Sequence, residues 1–194
     1  MPDFSPPPGF VDTPHPPVAG PDKLVSRTEE IVVDRPLAQV LAALDATPLS
    51  EGISEAGGLP GVRGSYVLAG GKFDRPGSRH MLFLTDDTTA VEQVLEKTDT
   101  PTSRRFRYVV WNYTTPAAKP LIYGLGDFLY TAEGDGTRVR WTYSFELRKD
   151  RFPGFLGVGL GGLLLKAAFL NGPYAKWMAG TLALTKRNAE AFKP

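Results

Sequence analysis

The sequence predicts an α+β domain, and three observations lead to that class. A strand pattern and a helical pattern come first, a run of six further strand patterns follows, and an apolar helical pattern occupies the residues after Pro153. Strands and helices that are grouped rather than alternating are typical of α+β proteins. With 194 residues, of which 42% are hydrophobic, the chain is long enough for one domain with a large core.

The first strand is predicted at Leu24–Val33, where β-branched residues are concentrated at the end. Asp34 and Pro36 are suited to the start of a helix, and Pro48–Ala56 indicates a second, short one. The first of these helices has one apolar face at three- and four-residue spacing. That face is formed by Leu37, Val40, Leu41 and Leu44.

Six strands follow, and each is separated from the next by turn residues such as Gly70-Gly71 and Gly134-Asp135-Gly136. The last has the cleanest alternation, with Trp141 and Tyr143 on the side that is apolar throughout. Such alternation predicts one buried and one solvent-facing side. The predicted strands are Val62–Ala69, Arg79–Thr85, Ala90–Lys97, Arg104–Tyr113, Ile122–Ala132 and Arg138–Leu147.

The helical pattern after Pro153 contains Asn171-Gly172-Pro173, which we expect to break or kink it. Gly157–Gly162 matches the spacing G-x-G-x-x-G. A dinucleotide site also requires a strand directly before the glycines and a βαβ unit after them, and neither is predicted here. The glycines are better explained by a helix or a loop that passes close to the sheet or over the mouth of a cavity.

Residues 1–22 are predicted to form a proline-rich extended arm, separate from a domain at 23–194. Eight prolines lie within residues 1–21 and favour a polyproline-like conformation. The arm either extends into solvent as a flexible leader or lies on the domain surface through Phe4 and Phe10, and a recognition role is a further alternative. The arm lacks the apolar run of a signal peptide, so we expect a cytoplasmic protein.

Composition excludes several classes of function. Lys and Arg total 22 against 21 Asp and Glu, a net charge of +1 that offers no general field for nucleic acid. The absence of cysteine excludes disulfides, thiolate nucleophiles and sulfur-ligated metals. There are two histidines, and His15 lies in the arm, so His80 alone indicates neither a metal site nor a catalytic triad. No metal and no cofactor are predicted.

The order of elements resembles the SRPBCC superfamily, which includes START-like, polyketide cyclase/dehydrase-like and birch-pollen-allergen-like proteins. The resemblance covers about residues 24–193. It implies a helix-grip fold, in which a seven-stranded curved antiparallel sheet wraps around a long C-terminal helix and two short helices follow the first strand. The stretches that carry it are Glu30–Pro36, Arg104–Val110, Glu133–Trp141 and the end of the terminal helix near Asn188-Ala189-Glu190.

The resemblance also implies a cavity between the sheet and the helix that receives a hydrophobic molecule: a lipid, a polyketide or an aromatic compound. Aromatic residues on the enclosing elements suit such a ligand, although each of them could equally be core. Arg79 and His80 are neighbours on one strand, so only one faces inward, and His80 shares its face with Leu82. The predicted ligand-binding residues are Tyr66, His80, Leu82, Tyr108, Asn112, Tyr130, Trp141, Tyr143, Tyr174 and Trp177.

Two functions remain open. The first is a non-enzymatic binding or carrier protein for a hydrophobic small molecule, favoured because no catalytic constellation is found. The alternative is a polyketide cyclase/dehydratase-like enzyme, in which His80 or Tyr143 moves protons and Arg79 or Asn112 stabilises an enolate. A weaker third hypothesis is a protein-interaction module that uses the proline arm. Residues 152–170, which carry no charge apart from Lys166, suit a core helix, a cavity gate or transient contact with a membrane.

Overall fold

The computed structural model describes residues 4–193 and confirms the α+β class. Observed strand ends lie within two residues of the predicted ones, whereas the second helix is shorter than predicted. The elements are β1 (Leu24–Val33), α1 (Leu37–Ala46), α2 (Leu49–Gly52), β2 (Val62–Ala69), β3 (Arg79–Leu84), β4 (Thr89–Asp99), β5 (Ser103–Trp111), β6 (Leu121–Glu133), β7 (Gly136–Leu147), α3 (Gly157–Leu165) and α4 (Ala175–Ala191).

The seven strands form one antiparallel sheet in the order β1-β7-β6-β5-β4-β3-β2. Strands β2 to β7 are neighbours in sequence order, and β1 pairs with β7 along its whole length, from Leu24 opposite Glu146 to Val33 opposite Thr137. Helices α1 and α2 therefore connect the two edges of the sheet. Register shifts in the β2–β3, β4–β5 and β6–β7 pairs mark bulges, which bend strands and increase their twist.

Buried apolar side chains lie on both faces of the sheet. The inner face packs against α1 and α4, and the predicted alternation of β7 is confirmed, because Val139, Trp141, Tyr143 and Phe145 are all buried there. The outer face carries a second, smaller cluster of buried side chains. The members of that outer cluster are Met81, Val91, Val109, Trp111, Tyr123 and Leu125.

The N-terminal arm covers this outer cluster, so it lies on the domain surface rather than extending into solvent. Phe4 packs against Phe83 with ring centroids 5.1 Å apart, and His15 meets the ring of Trp111 edge-on at 5.8 Å. The backbone N–H of Ala19 donates to the hydroxyl oxygen of Tyr123 at 2.7 Å.

The C-terminal helical segment continues through the predicted break instead of ending there. Lys166–Tyr174, which contains Asn171-Gly172-Pro173, forms π-helical turns that join α3 to α4. Pro173 has no N–H to donate and its ring crowds the preceding turn, so a local departure from α-helical geometry is expected. On the far side of it, Met178 and Leu182 of α4 are fully buried beneath the sheet.

Candidate functional site

A cavity of about 550 Å³ lies between the inner face of the sheet and the helices α1 and α4. Its size is within the range of small-molecule sites. Most of its lining is apolar and much of it aromatic, because the inward positions of β5, β6 and β7 carry large rings. The aromatic lining residues are Phe73, Phe106, Tyr108, Tyr113, Phe128, Tyr130, Trp141, Tyr143, Phe145, Phe169, Tyr174 and Trp177.

The rings pack on one another as well as around the cavity. Trp141 stacks on Phe128 with centroids 4.7 Å apart and planes 12° from parallel. Trp141 also contacts Trp177 of α4 at 5.3 Å, and Tyr143 meets Tyr174 edge-on at 5.3 Å. These contacts connect β6 and β7 to the terminal helix, so the wall of the cavity is also part of the core.

Two glycines of β6 provide the space that the tyrosines occupy. A Cβ atom on Gly126 would lie 2.2 Å from Cζ of Tyr108, and one on Gly124 would lie 2.6 Å from Cε1 of Tyr143. These glycines share the inner face with Phe128 and Tyr130, because side-chain direction alternates along a strand. Large rings on β5 and β7 therefore lie flat across a strip of β6 that has no side chains.

A buried carboxyl group lies in this aromatic wall. Glu92 of β4 is 4% exposed, and its Oε1 has no hydrogen-bond partner among the described residues. Burial disfavours the charged form and raises the pKa of Glu92 to about 8. At neutral pH the group is therefore mostly a neutral acid that can donate one hydrogen bond and accept others.

Other polar groups of the wall are neutral donors. Burial raises the pKa of Tyr108, Tyr143 and Tyr174 well above the ordinary value, so their hydroxyls stay protonated. The indole Nε1 of Trp141 and the hydroxyl of Tyr113 lack a partner with hydrogen-bond geometry among the described residues. Buried polar atoms without partners are uncommon, and here three of them lie in one cavity wall.

His80 lies beside Glu92 in the wall. The two residues are directly opposite each other in the β3–β4 register, which places their side chains on the same face of the sheet. The His80 ring nitrogen Nε2 donates to the carbonyl oxygen of Gly71 at 2.8 Å, and the ring packs against Phe73 at 5.1 Å. With Nε2 engaged, Nδ1 is the ring nitrogen left to accept a hydrogen bond.

Charged residues line the cavity where it approaches solvent, between the end of α1 and the β4–β5 hairpin. Arg104 Nε donates to Asp99 at 2.7 Å, and its Nη1 donates to Asp45 at 3.3 Å, which links the two elements. The hydrogen bond from Arg104 lowers the pKa of Asp99. Lys72 and Lys97 also line this region, so the apolar interior meets solvent through a charged rim.

Eight of the ten predicted ligand-binding residues line the cavity. Tyr66 does not, because it pairs with Met81 of the outer face and is 40% exposed. Asn112 does not either: β5 ends at Trp111, and Asn112 turns away with a φ of 53°, a left-handed conformation that asparagine tolerates. The lining members of the set are His80, Leu82, Tyr108, Tyr130, Trp141, Tyr143, Tyr174 and Trp177.

Arg79 faces the opposite side of β3 from His80, as the alternation predicts. Its guanidinium Nη1 lies 3.0 Å from Asp12 of the N-terminal arm. The enolate-stabilising roles considered for Arg79 and Asn112 are therefore wrong, because neither residue lines the cavity.

Sequence reasoning missed Glu92, which shares an inward face with Ala90 on a strand of buried residues. The available signal was the alternation Ala90-x-Glu92-x-Val94, which places a carboxyl between two apolar residues on one strand face, where a charged group is rarely buried without a function. The alternating glycines of β6 were a second signal. Within residues 4–193, no group of three or more His, Asp or Glu side chains is arranged to hold a metal ion.

A curved antiparallel sheet closed around a C-terminal helix defines the helix-grip class of α+β proteins. The family model for polyketide cyclase / dehydrase and lipid transport matches residues 25–178, so the chain belongs to that family, and the SRPBCC prediction is confirmed. No curated protein matches the chain.

Solved structures support the same fold. Ara h 8.0201 is 14% identical with a TM-score of 0.58, over 87% of this chain and 99% of that one. Norcoclaurine synthase from Thalictrum flavum is 12% identical with a TM-score of 0.55, over 86% and 95%. The di-domain ARO/CYC StfQ from the steffimycin biosynthetic pathway is 17% identical with a TM-score of 0.57; the match covers 87% of this chain and 51% of StfQ.

Proposed function

We propose that the protein binds a hydrophobic small molecule, of lipid, polyketide or aromatic type, in this cavity and carries it without converting it. The observation that carries the proposal is the cavity of about 550 Å³ with its aromatic lining. Apolar pockets with a small number of polar groups are the usual design of small-molecule sites. Membership of a family described by lipid transport as well as by cyclase and dehydrase activity supports the same class of ligand.

The polar groups narrow the expected ligand to one with hydrogen-bonding substituents. A buried carboxyl left without a partner is unfavourable by about 1–3 kcal/mol, and a ligand hydroxyl or carbonyl beside Glu92 would remove that penalty. The hydroxyl of Tyr113 and the indole N–H of Trp141 offer two further donors from the same wall. We therefore expect an aromatic or polycyclic ligand with oxygen substituents to bind more tightly than a plain hydrocarbon of equal size.

The experiment that tests binding uses the neutral fluorescent probe N-phenyl-1-naphthylamine. Titration into the full chain should give saturable enhancement with one site, and native mass spectrometry of freshly purified protein should show a bound small molecule. Ala90→Phe places a ring in the cavity, because Ala90 is a buried lining residue of β4, and it should weaken the probe's affinity at least tenfold.

Ala183→Phe is the matched control, because Ala183 lies on the exposed side of α4 and does not line the cavity. Circular dichroism confirms that both variants are folded. Equal affinity of wild type and Ala90→Phe, or no saturable enhancement, would reject cavity binding.

The second candidate function is a cyclase or dehydratase, favoured by the His80–Glu92 pair in the wall. In that reaction His80 would take a proton from the carbon next to a ketone, and neutral Glu92 or a tyrosine hydroxyl such as that of Tyr143 would donate to the developing enolate oxygen. Similarity to ARO/CYC proteins is consistent with such a substrate.

Incubation with a synthetic poly-β-ketone thioester separates the two functions. A carrier returns the compound unchanged from its complex, whereas an enzyme forms a cyclised or dehydrated product detectable by mass spectrometry. His80→Ala, Glu92→Gln and Tyr143→Phe should then abolish product formation while probe binding persists. Turnover that all three variants retain would exclude the assigned groups.

We further propose a cytoplasmic location and a division of the chain into the N-terminal arm, which lies on the outer face from residue 4 to residue 22, and a ligand-binding domain that starts at residue 23. The contacts of Phe4, His15 and Ala19 with the outer cluster support this arrangement. Removal of the N-terminal arm should leave the affinity for the probe within a few-fold of wild type, because the arm and the cavity lie on opposite faces of the sheet.

A further inference from the structure

The segment that leads into the terminal helix has an apolar outward face, although it lies at the surface. Leu163 is 66% exposed, Phe152 60%, Phe155 59% and Leu160 55%. Single exposed apolar residues are common, whereas a contiguous series of them marks an interaction site. We call this series the apolar ridge; its members are Phe152, Phe155, Leu156, Val158, Leu160, Leu163 and Leu164.

Intramolecular contacts do not explain the ridge, because α3 is already buried along its other side. Gly161 and Gly162 bring the helix so close to the domain that a Cβ atom would lie 2.4 Å from the Pro153 carbonyl oxygen and 3.0 Å from a methyl of Val25, respectively. Leu165 on the same side belongs to the core. Helices that use one face for packing normally present polar residues on the other.

The charges that flank the ridge in sequence are mainly positive, since the carboxylate that precedes it, Asp150, pairs with Arg148 at 2.8 Å. No acidic residue occurs between Asp150 and Glu190 in the sequence. Lys149 precedes the ridge and Lys166 follows it; both are exposed, and neither forms an ion pair in the part of the chain that the structure describes. An apolar surface flanked by unpaired cations is complementary to a bilayer with anionic headgroups.

Within residues 4–193, no other segment covers the ridge. The N-terminal arm is already held on the outer face of the sheet through Phe4 and His15. The helical segment Gly154–Ala191 is long and apolar enough to cross a bilayer, but crossing would pull Met178 and Leu182 out of the core. The geometry therefore favours a segment that lies in the membrane interface rather than one that spans it.

We propose that the apolar ridge docks the protein on bilayers that contain anionic lipids. Docking goes beyond the proposed binding function and does not depend on it. It would, however, place a wall of the cavity next to the membrane, because Phe169 and Tyr174 in the turns that follow α3 both line the cavity. A hydrophobic ligand could then pass between bilayer and cavity at this end.

Co-sedimentation of the full chain with vesicles tests the proposal. We expect binding to phosphatidylcholine–phosphatidylglycerol vesicles, weaker binding to phosphatidylcholine alone, and a loss of the difference at high salt. Leu160→Gln and Leu163→Gln keep a good helix former at each position and should each lower the partition coefficient roughly tenfold, since both side chains are more than half exposed. Lys166→Glu should weaken binding to the anionic vesicles only.

The matched control is Val67→Gln, which removes a 48% exposed apolar side chain from β2 and should bind vesicles like the wild type. Failure to bind either vesicle, or equal binding by wild type and the double Leu160→Gln/Leu163→Gln variant, would overturn the proposal. Sedimentation velocity tests the alternative that the ridge binds a second copy of the chain. A wild-type dimer that the double variant converts to a monomer would support that alternative and would overturn the membrane proposal. Probe binding measured in parallel stays unchanged if docking and cavity binding are independent.

Discussion

Replacing Glu92 by glutamine should stabilise the protein, and the gain should grow with pH. The ordinary pKa of a glutamate is 4.5, and burial raises that of Glu92 to about 8. Below pH 4.5 the group is protonated in both the folded and the unfolded chain. As the pH rises from 4.5 to 8, the unfolded chain ionises and the folded one does not, so stability is lost over this interval and no further above it.

The magnitude follows from the two pKa values. Each pKa unit corresponds to about 1.4 kcal/mol, so the loss is about 3 kcal/mol at pH 7 and approaches about 5 kcal/mol above pH 8. Glutamine has almost the same shape and no ionisation, so Glu92→Gln should match the wild type near pH 4.5 and exceed it by about 3 kcal/mol at pH 7. A loss of this size at one residue is a typical sign of a group retained for function.

Urea unfolding of wild type and variant at pH 5 and pH 8 measures the effect. Glu96→Gln is the matched control, because Glu96 lies on the same strand but forms a partly exposed ion pair with Arg107 at 3.4 Å. The control should not gain stability at pH 8. A stability difference between wild type and Glu92→Gln that does not change with pH, or a variant less stable than wild type at pH 8, would refute the reasoning.

Three further outcomes are expected. Gly126→Ala should destabilise the fold by about 1–3 kcal/mol in urea unfolding and weaken probe binding, because its Cβ would displace Tyr108, whereas Gly159→Ala in α3 has open space and should be neutral or slightly stabilising. Deletion of residues 1–20 should lower the Tm and increase aggregation measured by light scattering, because it uncovers Trp111 and the rest of the outer cluster; an unchanged Tm would contradict this. Arg104→Ala should speed probe release in stopped-flow displacement, because it removes the link between α1 and the β4–β5 hairpin; an unchanged release rate would show that the link does not restrict the entrance.

The sequence predicted the sheet well because its strands carry strong local signals. The alternation of β7 identified its buried face, and the bounds of β1 and β2 were predicted without error. The second helix was predicted too long, because Ile53 already returns to an extended conformation and ends it at Gly52. At Asn171-Gly172-Pro173 the break became π-helical turns, since contacts of Tyr174 and its neighbours with the core hold the segment helical.

The residues of the site were harder to predict, because their positions depend on contacts between strands that a local sequence pattern does not show. Asn112 follows the alternation of β5 in sequence, and only its positive φ removes it from the inner face. Tyr66 is an aromatic strand residue like the others, but the β2–β3 register directs it outward. Glu92 shows the reverse case, because its importance depends on His80, which lies directly opposite it on the neighbouring strand β3. Sequence patterns identify which residues share a strand face, whereas register between strands decides which faces enclose the cavity.

The indole N–H signals of the three tryptophans offer the most direct measurement of whether a guest occupies the interior. Trp141 and Trp177 line the cavity, and Trp111 lies on the outer face as an internal reference. During a titration with N-phenyl-1-naphthylamine followed by ¹H–¹⁵N NMR, we expect the Trp141 signal to shift in a saturable way while that of Trp111 stays in place. Movement of Trp111 alone, or no movement of Trp141 at saturating probe, would contradict the assignment of the cavity as the binding site.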